Sequence, residues 1–488
     1  MNTEMIIFIL YLAFMIGIGV YFFVRSRGAG EKEYFLGGRK MGPWVSALSA
    51  GASDMSAWVL MGLPTAIYAK GLGQLWIPIG LALGYAMSWI IEAPRLRAFS
   101  VVADDAITIP QYLTRRFKSK SYALQVVCAA IFLIAYTIYA ASSIKAAGKV
   151  FNTVIGINES AAMYIAAAII IAYTFLGGFS AVCWTDFFQG MLMLGALLLA
   201  PLFALNMLQV DTAQITAETP GFFNLFTTWQ DVVSGIGWGL GYFGMPHIII
   251  RFLSLRSQKD IRKSSVIGIT WTTLILVFAA LVGVFGREML AMDQAMVGNE
   301  TVFITMVRQI FPSVIAGILL SAILAASMST ADSQLLSAAS AFTSDVYKPI
   351  VRKNQTSDRE MLWLGRMIVF IIAAVALVIA SDPGAATIMS LVSNAWGVFG
   401  AAFGPVILLS LFWKRYNFAG ALSGIIAGAA VDILWLVFLA DTGVYEIVPG
   451  FICGLIVSIL VSLCTKAPDK EVEALFEAGT NYQDPVEG

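Results

Sequence analysis

The sequence predicts an all-α polytopic membrane protein with about 13 transmembrane helices, and three observations carry that prediction. Hydrophobic residues make up 59% of the chain and charged residues 12%, against about 25% charged in ordinary soluble domains. The apolar residues gather in runs of about 18 or more, long enough as helices to cross ~30 Å of hydrocarbon. Most of the 30 lysines and arginines fall in alternate loops between these runs, as the positive-inside rule requires of a multi-pass protein.

In chain order the runs are Met5–Val24, Trp44–Tyr68, Leu72–Ile91, Tyr122–Phe151, Ala161–Leu176, Trp184–Met207, Val232–Ile250, Val266–Gly286, Pro312–Phe342, Met361–Ala380, Ala385–Trp413, Phe418–Ala440 and Ile447–Cys464. The fifth is short and the ninth is longer than one crossing needs. With the N-terminus outside, the inner loops hold basic clusters such as Arg25, Arg27, Arg39 and Lys40, then Arg95 to Lys120, then Arg251 to Lys263. This asymmetry places a bacterial chain in the inner membrane with its C-terminus cytoplasmic. One transmembrane domain spans residues 1–465, and 466–488 reads as a polar, solvated cytoplasmic tail.

Composition also narrows the function. Net charge is +0, which gives no electrostatic reason to expect nucleic acid as a partner. The four cysteines, Cys128, Cys183, Cys453 and Cys464, lack metal-ligand spacing. No P-loop and no signalling domain interrupts the membrane segments, and no obligatory protein partner is evident. The first run reads as an anchor, because it lacks the basic flank and cleavage site of a signal peptide.

Two segments make poor continuous helices. The second carries Ser46-Ala47-Leu48-Ser49-Ala50-Gly51-Ala52-Ser53-Asp54-Met55-Ser56-Ala57-Trp58 through its middle; the seventh carries Gly235, Gly237, Gly239, Gly241 and Gly244 before Met245-Pro246-His247. They are five segments apart and so inserted in opposite directions. Two five-helix halves, about 44–207 and 232–413, each opening on a discontinuous helix, are the mark of a transporter with its site at the breaks. The competing reading is that the glycines only let helices pack closely.

Several residues within this frame carry chemistry. Asp54 lies at mid-membrane, where a carboxylate costs at least about 2.5–3.5 kcal/mol and is functional by default. Ala326, Ser329 and Thr330 in the ninth segment present neutral oxygens suited to a small hard cation, although such hydroxyls also satisfy themselves on their own helix. Asp186 opens the sixth segment and reads equally as a helix cap. Glu92, His247 and Asp432 read as anchors near segment ends, and Lys145 and Lys149 as interfacial. Trp58, Trp238 and Tyr242 flank the weakened stretches and, with Tyr139, would form a wall for an apolar ring bearing an ammonium group.

These residues resemble those of the sodium/solute symporter family, in particular its bacterial sodium/proline symporters. The likeness is carried by Ser46 to Trp58, Leu36-Gly37-Gly38-Arg39, Gly177 to Gln189, Gly237 to Gly244, Ala316 to Ala326, Ala401 to Pro405 and Tyr445 to Phe451. It implies a leucine-transporter-type 5+5 inverted repeat and sodium-driven symport of L-proline rather than catalysis. It also implies that Ala52, Met55 and Ala326 would offer carbonyls to sodium, Ser329 and Thr330 hydroxyls, and Asp54 nearby assistance. Ser56, Trp58, Tyr139, Trp238 and Tyr242 would hold proline, and Arg39 would serve the cytoplasmic gate. Ala57 stands where a glycine is common. Asp186, Asp332 and Ser333, with Ser329, resemble a second sodium set found in relatives that use two ions. Open alternatives are another small solute on the same fold, or a solute-binding membrane sensor that does not transport.

Overall fold

The computed structural model describes residues 3–25, 31–209, 211–382, 384 and 386–484. Arg27, Ala385 and the last four residues of the tail lie outside that set. Apart from loops and an isolated bridge between Met41 and Leu255, the described residues are helical.

The helices follow the apolar runs. They are α1 (Thr3–Arg25), α2 (Pro43–Asp54), α3 (Leu63–Lys70), α4 (Leu72–Val102), α5 (Ala123–Ile155), α6 (Glu159–Ala204), α7 (Trp229–Gly237) and α8 (Pro246–Ser254). Next come α9 (Gln258–Met289), α10 (Ser313–Phe342), α11 (Asp358–Ser381), α12 (Ile388–Phe412), α13 (Phe418–Phe438), α14 (Ile447–Cys464) and α15 (Lys470–Thr480). Among the described residues, 10 helices are long and apolar enough to cross a membrane. The other three runs expected from sequence are the two interrupted ones and the short stretch Glu159–Ala172. That stretch joins the next span in α6, but Gly178 breaks the join at φ 66 and ψ 175, a conformation only glycine adopts freely.

Both weakened segments are broken. α2 ends at Asp54, Met55 leaves the helical region at ψ 70, and a π turn Trp58–Gly62 then leads into α3. α7 continues as a tight 3-10 stretch Trp238–Phe243, after which Gly244 and the extended Met245 precede α8. Pro246 stands at the start of α8, where its missing N–H costs nothing. α2 packs against α6, α8, α9 and α10, so the first break lies inside the bundle; α10, the most enclosed long helix, packs on α5 and α6.

The glycines of the seventh segment do serve close packing as well. A Cβ on Gly84 would lie 2.2 Å from the Gly239 carbonyl oxygen, and one on Gly239 would lie 2.3 Å from that of Gly80. α4 and the α7 stretch therefore touch backbone to backbone, the small-residue contact typical of membrane helices. The two readings of those glycines hold together: some allow contact, and Gly244 lies at the break.

The tail departs from the solvated extension expected of it. α15 folds back on α4 and buries Val472 and Leu475. Phe476 meets Phe99 at 5.6 Å between ring centres, Arg116 lies over the Phe476 ring, and Lys414 pairs with Glu477 at 2.7 Å. The apolar spacing of Val472, Leu475 and Phe476 on one helical face explains the docking. The residues expected to anchor at segment ends are likewise buried: Glu92, His247 and Asp432 are all enclosed, and Lys149 is buried with its ammonium on the Asn299 carbonyl.

The backbone contact yields a test. Gly84→Ala should lower stability by about 1–3 kcal/mol through overpacking, read as a drop in thermal unfolding temperature in detergent. Gly195, also within a helix, has nothing within 4 Å of a built Cβ, so Gly195→Ala should leave that temperature unchanged or raise it.

Candidate functional site

The site begins where α2 stops. In an unbroken helix the Ser56 and Val59 amides would donate to the Ala52 and Met55 carbonyls. Here Ser56 N donates to Asp54 O at 2.8 Å and Val59 N to Ser56 O at 3.1 Å. The break thus redirects the donors that would otherwise take the Ala52 and Met55 carbonyls, the two expected to face sodium.

α10 meets this point from the other side. Ser329 Oγ donates to Ala52 O at 2.8 Å and contacts its own helix at Ala326 O at 3.2 Å. Next to it, the Thr330 hydroxyl is buried without a hydrogen-bond partner. Three of the five oxygens expected around a cation are therefore in mutual contact, with a fourth idle beside them. The donor set is neutral and all oxygen, which suits a monovalent hard cation.

Asp54 organises the aromatic side. It is 0% exposed, and Tyr242 Oη donates to its Oδ2 at 2.5 Å while Oδ1 has no partner. Its main-chain oxygen accepts from Tyr139 Oη and from Trp58 Nε1, both at 3.4 Å. Trp58 and Trp238 stand 5.9 Å apart between ring centres, and the Ser56 hydroxyl is buried and unpartnered. All five residues expected to contact solute thus gather around the two breaks.

Sequence reasoning missed part of this wall. Trp396 of α12 donates its indole N–H to Trp238 O at 2.8 Å and packs edge-on to Tyr242. Tyr445 stacks on Trp238 at 5.0 Å, and Tyr85 meets Tyr242 at 5.0 Å. Aromatic residues abound in membrane spans, so nothing local distinguished these three.

Asp186 is neither interfacial nor a cap. It lies inside α6 at 0% exposure and pairs with Arg251 of α8, itself 1% exposed, at 3.1 Å. Ser49 Oγ also donates to Asp186 Oδ2, at 2.6 Å. The Arg251 guanidinium donates in addition to Ser333 Oγ at 2.6 Å, to Ser49 Oγ and to His247 O, and Ser333 Oγ lies 3.3 Å from Asp332 Oδ1. The structure brings Asp186, Asp332 and Ser333 together, but with a guanidinium among them. Arg251 had been counted with the inner-loop bases. Its position one turn after His247, with Phe252 and Leu253 following it, is the sign the sequence offers.

Arg39 lies just before α2 at φ 57. It donates to Asp105 Oδ1 at 2.7 Å, to Ala106 O at 2.9 Å and to Leu253 O at the end of α8. Beside it, Met41 N donates to Ser254 O, so the entry to α2 is tied to the exit of α8. Burial alone would raise the Asp105 carboxyl, but Lys32 and Arg39 outweigh it and hold it below the usual carboxylate range.

An all-helical bundle with two oppositely inserted broken spans, a neutral oxygen cluster and an aromatic wall is the architecture of a secondary transporter. The chain belongs to the sodium:solute symporter family, whose profile matches residues 34–428. It is 41% identical over 485 residues to the osmoregulated proline transporter OpuE of Bacillus subtilis, covering 98% of each chain. It is 42% identical to the high-affinity proline transporter PutP of the same organism, over 95% of this chain and 98% of that one. A sodium/proline symporter of Haemophilus influenzae is also 42% identical, over 98% of this chain and 97% of that one. Among solved structures, a substrate-bound outward-open Na+-coupled sialic acid symporter superposes with a TM-score of 0.79 at 20% identity, over 96% of this chain and 99% of that one. Mhp1, a nucleobase-cation-symport-1 family transporter, superposes at 0.59 and 14% identity, over 91% and 98%.

The buried ion pair makes a stability prediction. Asp186→Asn and Arg251→Gln should each cost about 3–5 kcal/mol, because each strands a buried charge. The double variant should recover much of that loss, as a double-mutant cycle of thermal unfolding will read.

Proposed function

We propose that this chain carries L-proline into the cell together with sodium, by alternating access, across a bacterial inner membrane with its N-terminus outside. The observation that carries this reading is the contact of Ser329 on α10 with the Ala52 carbonyl where α2 breaks, a cation pocket shared by two elements that can separate. The relatives named as proline transporters support the choice of solute.

In this reading the Ala52, Met55 and Ala326 carbonyls and the Ser329 and Thr330 hydroxyls take the co-transported sodium. Asp54 adds long-range attraction and, through Tyr242, holds the aromatic wall in place. Trp58, Tyr139, Trp238, Tyr242 and Ser56 receive proline, with rings against its apolar face and its ammonium near the Asp54 carboxylate. The solute thus touches the residue that assists sodium, so each ligand strengthens the other by an equal factor. Arg39 and its partners close the cytoplasmic side, joining the spans that must part for release.

One sodium suffices. Entry down about 100 mV releases about 2.3 kcal/mol. With about 150 mV and a tenfold gradient the total is about 5 kcal/mol, enough for roughly three decades of accumulation at ~1.4 kcal/mol each. Arg251 already pairs with Asp186, so that acid serves here in a structural ion pair rather than as a sodium ligand.

Labelled-proline uptake in proteoliposomes, with and without an inward sodium gradient, tests the reading. Uptake should follow sodium, and Ser329→Ala should raise the half-saturating sodium concentration about tenfold, the effect of ~1.4 kcal/mol. Asp54→Asn should weaken sodium dependence and proline affinity together. Uptake that followed a proton gradient and ignored sodium would refute it.

A further inference from the structure

A second set of buried acids lies away from the transport site and belongs to none of the roles above. Asp432 sits inside α13 at 0% exposure, and neither carboxylate oxygen has a hydrogen-bond partner. Glu446, at the entry to α14, is 8% exposed, and its Oε1 is also unpartnered. Both converge on Gly397 of α12: a Cβ built there would meet Asp432 Oδ1 at 2.8 Å and Glu446 Cγ at 3.3 Å. No lysine, arginine or histidine among the described residues lies within ion-pair distance of either acid.

Two ionised carboxylates placed together in such surroundings repel each other and lose their hydration, so one must be neutralised. A metal ion would need about six oxygens. No hydroxyl or amide side chain among the described residues bonds to either acid, and a Cβ built on Gly397 or Gly450 would meet Asp432 at 2.8 or 3.1 Å. What the pair lacks is a donor hydrogen rather than a ligand shell. We propose that Asp432 and Glu446 form a proton-binding site in which one acid carries the proton and donates it to the other.

The site is wired to the wall of the transport site. Tyr445, the residue before Glu446, stacks on Trp238 at 5.0 Å and donates to Ser393 O at 2.6 Å. Its amide donates to Ser234 Oγ of α7 at 3.0 Å, and that hydroxyl donates to Gly443 O. Tyr445 is also the titratable neighbour that both acids influence, with Tyr139 the next charge-bearing group beyond it; from α12, α13 and α14 no other titratable side chain bears on the pair. A change of charge at Glu446 therefore acts one residue from the ring that backs Trp238.

Infrared difference spectroscopy on the full chain in lipid vesicles, titrated in pH at fixed sodium, tests the site without reference to transport. Wild type should show a deuterium-sensitive band of a protonated carboxyl group that is missing in Asp432→Asn and displaced in Glu446→Gln. If Asp432→Asn does not fold, the displacement in Glu446→Gln alone decides. Bands identical in wild type and variants would overturn the proposal. So would a wild-type band abolished by sodium at constant pH, which would mean that a metal ion takes the place of the proton. As a second readout, which rests on the proline-transport reading, the pH dependence of wild-type uptake should flatten at least about threefold in Glu446→Gln, since coupled acids titrate as a pair. Sodium dependence should persist there. A band that behaves as expected in vesicles that take up no proline would sink the transport reading and leave the proton site standing.

Discussion

The structure depends on one constraint: within a bilayer, every main-chain N–H and C=O must find a partner in the protein or line an enclosed polar site. A helix meets that demand by itself, which is why most of the chain is unbroken rod. Where α2 stops at Asp54, the demand is met locally by redirected amides and across the bundle by Ser329. The break is tolerable because α6, α8, α9 and α10 surround it. The same enclosure brings the Ala52 carbonyl against the Ser329 hydroxyl. Stability and site share one origin.

The second constraint is electrostatic. Asp54 is held by a single phenol, whereas Asp186 is held by a guanidinium and a hydroxyl. An acid with a full basic partner resists change, and an acid with one neutral partner still draws a cation. That contrast leaves the two carboxylates with different surroundings, although both are buried to the same degree. The Arg251 guanidinium ties α8, which supplies it, to Asp186 on α6 and Ser49 on α2.

Much of this was legible in the sequence. Hydropathy alone marked the spans, because lipid imposes the same length on each. The two breaks were legible because Gly51 to Ser56 and Gly235 to Pro246 are wrong for a continuous span, whatever surrounds them. The Ser329 and Ala326 oxygens stood out as neutral oxygens on one helix and by resemblance; that Ser329 Oγ lies 2.8 Å from Ala52 O could come only from the fold. Arg251 was misplaced because a basic residue at a span end reads as loop, and only the fold shows that α8 is too short to bring it out. Trp396 and Tyr445 were invisible because their significance lies in partners more than 150 residues away in the chain. The tail misled because its charges dominate its composition, while three apolar residues decide its position.

Sequence misread Asp432 for a related reason: an acid late in a span reads as one that reaches for headgroups. Here Gly397 and Gly450 enclose the acid, since a Cβ built on either would lie 2.8 or 3.1 Å from Asp432. Those glycines let α12, α13 and α14 pack closely around the acid, which is 0% exposed. The carboxylate is therefore trapped by small residues, not placed by a partner. Such an arrangement costs stability unless a bound proton relieves it, and its position behind Trp238 gives the relief somewhere to act. Close packing thus sets the chemistry of this acid, as it sets the hydrogen bonding at the break in α2.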